Sequence, residues 1–116
     1  VTDEIVAFIK ARLAEAEARA LAAQGHQLFD GTGIVTMQTP VGTRSITLPS
    51  HIAEFATYND PAQVLREVEA KRQLLERCQH TLAYEDYGHW LAELAIQALA
   101  APHADHKDYK PWWRPE

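Results

Sequence analysis

The sequence predicts a mainly α, α+β fold: a small antiparallel helical bundle with a two-stranded β-hairpin arm inserted after the first helix. Three observations carry this. The stretch DPAQVLREVEAKRQLLERC, Asp60 to Cys78, places Val64, Leu65, Val68, Leu75 and Cys78 at helical spacing opposite a charged face. Residues 2–23 repeat the helical pattern. Residues 26–50, between them, turn to β-branched runs broken by glycine and proline. At 116 residues the chain is expected to be one domain, long enough to bury one real core. Its parts are a helix in 1–24, the hairpin arm in 26–50, helices in 51–101 and a docked tail in 102–116.

The first helix starts well: Thr2 or Asp3 can cap it, and Asp3 and Glu4 sit where the helix dipole favours negative charge. Ile5, Phe8, Ile9, Leu13, Ala16, Ala20 and Leu21 form one stripe. The alanine-rich run from Ala14 to Ala23 has high helix propensity and small side chains, and Gly25 is a natural stop. In the arm, Ile34–Met37 and Thr43–Leu48 have strand composition, with Thr39-Pro40-Val41-Gly42 as the turn. A short helix follows from His51 to about Tyr58, capped by Ser50.

Asp60 caps the central helix, Pro61 suits its first position, and Gln63 sits where a capping-box partner belongs. The end of that helix follows from phase. Leu75, Cys78 and Leu82 share a face that, continued, would meet Glu85, Asp86, His89 and Glu93. The next apolar stripe begins at Leu91, nine residues after Leu82 and half a turn out of phase. The helix should therefore break between Ala83 and His89, with Gly88 as pivot. A second piece, 89–101, should fold back on Leu91, Leu94, Ala95, Ala98 and Leu99, and Pro102 should stop it. The remaining residues have no period, and Trp112 and Trp113 are too apolar for a free tail.

Composition narrows the function classes. Apolar residues make up 47% and charged residues 23%, ordinary values for a soluble globular protein. A formal net charge of −5 argues against general binding to nucleic acid or anionic membranes. The single cysteine forms no internal disulfide, no apolar run has the length of a membrane span, and the opening residues lack a signal-peptide pattern. The expectation is a cytoplasmic protein, with neither membrane nor nucleic acid among its partners.

HIAEFATYNDPAQVLREVEAKRQLLE (His51 to Glu76) and LAAPHADHKDYKPWWRP (Leu99 to Pro115) are similar to a family of short proteins from actinobacteria and their phages, grouped as a domain of unknown function. That family shows a DPA-V-L-EVEAKR core and a PHADH-DY-WRP-like tail. VAFIKARLAEAEARA, Val6 to Ala20, resembles its opening helix. The resemblance brings no activity with it. Members carry several cysteines between the central helix and the tail, suggestive of a metal knuckle. This chain has Cys78 alone there, which implies a site lost or replaced by packing.

The strongest chemical cluster is His103, Asp105, His106 and Asp108 in PHADHKDY. Imidazole and carboxylate ligate zinc and harder divalent metals, and Cys78, His80 and His89 could complete such a site. The plainer account has the histidines capping helix ends or bonding tail carbonyls, while the aspartates hold turns. No residue stands out as catalytic. Ser45 and Ser50 lack a nucleophile elbow, and Cys78 lies on the apolar stripe. Glu85, Asp86 and Glu93 could gather with His89 as acid and base, but read more plainly as solvated surface. Tyr84, Tyr87, Trp90, Tyr109, Trp112 and Trp113 read as packing between tail and helices, or as an interface. The expected function is that of a non-enzymatic accessory protein acting through protein–protein interaction, self-association included, with no cofactor. The alternative is a metal-binding or metal-dependent protein using the tail cluster with zinc or another divalent metal.

Overall fold

The computed structural model describes every residue except 1, 2, 25, 26, 30–33, 48, 53, 54, 56–58 and 116, and only the backbone of 27–29 and 34–39. In order, the elements are helix α1 (Asp3–Ala23), strands β1 (Gln27–Phe29), β2 (Ile34–Thr39) and β3 (Gly42–Thr47), and helices α2 (Pro61–Tyr84) and α3 (His89–Ala100). Two 3₁₀ turns follow, Ala101–His103 and Pro111–Trp113. The fold is mainly helical with an antiparallel hairpin inserted after the first helix, as the sequence predicts. The expectations for Thr2, Gly25 and Leu48 lie outside the described residues. Of the short helix, Ser50, His51, Ile52 and Phe55 are helical and the rest is likewise outside them. No helix among the described residues is long and apolar enough to cross a membrane.

The chain divides into two compact units. One comprises Val1–Glu15 with Val68–Glu116; the other is Ala16–Glu67. In the second unit, β2 pairs antiparallel with β3 and with β1, which adds a third strand to the expected hairpin. Thr39 faces Gly42 across a Pro40-Val41 turn. Neither turn residue has positive φ, so the turn lacks the twist that two-residue hairpins prefer. Gly42, at φ 126°, absorbs the mismatch, in a conformation other residues rarely adopt. All six β3 residues are exposed, and the strand pairs with β2 through its backbone ladder. The start of α2 is capped as expected: the Gln63 amide donates to Asp60 Oδ1 at 2.7 Å. The Gln63 side chain does not close a capping box; it donates to Glu67 and accepts from Arg66.

The first unit holds the larger core. Ile5, Val6, Phe8, Ile9 and Leu13 of α1 are buried, with Val68, Leu75 and Cys78 of α2, Ala92, Ile96 and Ala100 of α3, and Trp113. Ile5, Ile9, Leu75 and Ile96 are fully enclosed. Each such side chain contributes about 1.5–3 kcal/mol relative to exposure. Helix α2 breaks where the phase argument puts it, between Tyr84 and His89. Gly88 is the pivot, at φ 84°. A Cβ there would meet only Thr81 Cγ2, at an ordinary 3.5 Å, so backbone conformation and not space demands glycine. Alanine in that left-handed geometry costs roughly 1–2 kcal/mol.

Helix α3 departs from expectation in its rotation. It buries Ala92, Ile96 and Ala100, whereas Leu94, Ala95 and Leu99 are half-buried, Leu91 is 63% exposed and Ala98 is exposed. Hydrophobicity points to the leucines. Two alanines flanking an isoleucine instead allow close helix approach, and the left-handed residue at Gly88 sets the angle at which α3 leaves the loop.

Candidate functional site

The α2–α3 hairpin forms a groove in the first unit. Leu74, Arg77, Cys78 and Thr81 line it from α2, Glu85, Tyr87 and Gly88 from the loop, and Leu91, Ala92 and Ala95 from α3. Thr81 beside Gly88, with Leu74 and Ala95 further along the same groove, is the register of two antiparallel helices. The groove encloses about 260 Å³. Its floor is apolar and its rim is fixed by polar contacts. Arg77 Nη2 pairs with Glu85 Oε1 at 3.0 Å, Thr81 Oγ1 donates to Glu85 Oε2 at 3.4 Å, and His89 Nε2 bonds the Glu85 carbonyl at 2.6 Å. These contacts hold the loop that presents Tyr87.

The rim is also unusually apolar for a surface. Of the groove's lining, Leu74, Tyr87 and Leu91 are exposed, Tyr87 by 87%, and Tyr84 and Trp90 are exposed at the adjoining helix ends. The Tyr84 ring rests against His80 at 5.1 Å between centroids. Such clustering of large apolar side chains at a surface marks an interaction site more often than isolated exposure does. Cys78, on the groove floor, is buried, and burial pushes its thiol pKa up. That disfavours the thiolate a nucleophile or metal ligand needs.

The tail is built differently. Backbone bonds from Ala104 to Ala101, His106 to His103 and Tyr109 to His106 close successive three-residue turns. In such turns side chains three apart eclipse. His103, His106 and Tyr109 therefore point the same way, and they meet Phe8 of α1 at centroid distances of 6.2, 5.5 and 5.9 Å. Trp113 adds a fourth ring at 5.2 Å. The Arg12 guanidinium lies 5.2 Å from the Phe8 centroid, with its side chain 10% exposed and one nitrogen, Nη2, on Glu15 at 3.1 Å. Rings met edge-on contribute about 0.5–1.5 kcal/mol each beyond burial, and the cation adds a comparable amount. Burial chiefly, and then the charges of Lys71, Arg12 and His106, lower the His103 pKa; Glu15 opposes them.

The same spacing separates the four tail residues singled out as metal ligands. His103 and His106 face Phe8, while Asp105 and Asp108 are exposed. His106 Nδ1 accepts the Asp108 amide at 3.0 Å, and the Asp108 carboxylate stands 3.9 Å from that nitrogen. Cys78 is on the groove floor, His80 is beside Glu85 and His89 is bonded to the loop. Among the described residues, no group of three or more His, Cys, Asp or Glu side chains is placed to hold a metal ion.

With these two sites in view, the comparisons with known proteins carry one result. Residues 2–115 match the model of a family of unknown function, DUF6221. This chain belongs to that family. The match runs from the opening helix through the central helix to the tail, so it takes in both the groove and the ring cluster. No curated protein and no solved structure matches the chain. In this family member, sequence reasoning missed Arg12 and the exposed rim at Leu74 and Leu91. Arg12 was open to detection, because Phe8 and Arg12 are one helical turn apart and such pairs meet on a helix surface. The rim had no signal, since leucines on a helix read as core.

Proposed function

We propose that this protein is a non-enzymatic accessory protein that binds another protein through the α2–α3 groove. One observation carries the reading: a groove with an apolar floor, edged by three exposed large apolar side chains, Leu74, Tyr87 and Leu91, and braced by the Arg77–Glu85 pair. Tyr87 is the type of side chain that dominates protein interfaces. Leaving Leu91 in water forgoes about 1.5–3 kcal/mol of burial, which a partner would supply.

A photoactivatable cross-linker at position 91, expressed in the native host, tests this. The same cross-linker at Ala14, on the exposed face of α1, is the control. A defined adduct from position 91, lost on Leu74→Asp, is the expected result. Adducts no different from those at position 14 would contradict it.

A further inference from the structure

Arg12 stands in the ring cluster with its bonding incomplete. Its side chain is 10% exposed, and Nη2 pairs with Glu15 Oε1 at 3.1 Å. Nε and Nη1 are buried with no hydrogen-bond partner among the described residues. Those nitrogens carry most of the guanidinium's N–H groups. A buried donor left unbonded disfavours its buried state about five- to a hundredfold. The Phe8 face, 5.2 Å from the guanidinium carbon, returns about two- to fivefold. The deficit is therefore the larger effect. It falls where the tail docks: His103, His106, Tyr109 and Trp113 close on the same Phe8, and the Arg12 charge reaches His103.

The tail's own bonding is local. Backbone bonds from Ala104 to Ala101, His106 to His103, Tyr109 to His106, Trp113 to Lys110 and Arg114 to Pro111 all close turns inside it. Among its described residues Trp113 alone is buried. Local hydrogen bonds and little buried apolar surface mark the segments that open before the rest of a fold. Helices α1, α2 and α3, by contrast, hold Ile5, Ile9, Leu75 and Ile96 fully enclosed. We propose that residues 101–115 are a releasable strap, which lifts from α1 as one unit while the three helices stay packed, and that the unbonded Arg12 nitrogens set how readily it lifts. Lifting returns those nitrogens to water and uncovers Phe8 beside them. The strap does not depend on what the α2–α3 groove binds.

Native-state hydrogen exchange of the full chain, amide by amide and with rising urea below the unfolding transition, tests this. The Ala104, His106, Tyr109 and Trp113 amides should share one protection level, at least about a hundredfold below that of Leu75 and Ile96, with a weak common urea dependence. Arg12→Met keeps an apolar stem and removes the unbonded donors, and should slow tail exchange at least about fivefold. Glu15→Ala takes away the ion-pair partner of the guanidinium. It should speed tail exchange about two- to fivefold in wild type, and leave it unchanged in the Arg12→Met background. Glu15 is exposed, and a heteronuclear spectrum of each variant checks that the fold is retained. Tail amides that exchange only together with Leu75 and Ile96, or that each open singly at unrelated rates, would overturn the proposal. Faster or unchanged tail exchange in Arg12→Met would overturn it too, as would a Glu15→Ala effect of equal size in both backgrounds.

Discussion

Trp112 and Trp113 are adjacent in sequence, yet one is 72% exposed and the other 6%. The same contrast separates two aromatic regions of the first unit. In the tail, four rings and a guanidinium close around Phe8. At the α2–α3 hairpin, Tyr84, Tyr87 and Trp90 stand in water, Tyr87 at the edge of an apolar groove. Aromatic density is similar in both, so density does not decide the use. The tail rings have Phe8 as a common target, and their spacing of three delivers them to it. The hairpin rings flank a glycine before α3, which buries Ala92, Ile96 and Ala100, leaves Leu94 and Leu99 half-buried and exposes Leu91. One region stabilises the fold; the other, on the proposed reading, is left for a partner.

Substitutions at Phe8 test the first half of that contrast most severely. Phe8→Ala should cost about 3–5 kcal/mol in urea denaturation, since it empties the centre of a ring cluster. It should also red-shift tryptophan emission as Trp113 reaches water. A cost under about 1 kcal/mol would mean that the tail is not anchored there.

Next in size is His103→Ala/His106→Ala. Losing two edge contacts should cost about 1–3 kcal/mol. A chelator should leave the unfolding of wild type and variant unchanged. A wild type weakened by chelator, beside an indifferent variant, would give the histidines a metal instead of a ring to hold.

A smaller effect concerns pH. A histidine whose folded pKa is lowered takes up its proton later in the folded chain than in the unfolded one. Stability is then lost as pH falls through about 6.5, and the loss ends below the folded pKa. The causes at His103 are burial first, then Lys71, Arg12 and His106, against Glu15. Wild type should therefore lose more Tm than His103→Gln on going from about pH 7.5 to pH 5. Equal losses would show that Glu15 balances the other causes.

Much of this architecture was legible in the chain. The nine-residue step from Leu82 to Leu91 located the break before Gly88, because helical phase is a local property. The hairpin turn was legible because Pro40 fixes its φ and Gly42 readily takes a positive φ that other residues avoid. The buried face of α3 was not, because rotation about a helix axis depends on the exit angle at Gly88 and on how closely Ala92 and Ala100 allow approach. The tail histidines were visible as residues but read as ligands. Their interval of three means one face only if the backbone makes successive tight turns, and proximity to Phe8, ninety-five residues before His103, is a tertiary fact.

The contrast between the two regions is tested most directly by the folding stability of Leu91→Asp. Leu91 lies in the first turn of α3, where a carboxylate is favoured by the helix dipole. If the groove is a surface kept open for a partner, urea denaturation should place this variant within about 0.5 kcal/mol of wild type. A loss of several kcal/mol would contradict this, and would make the groove part of the core.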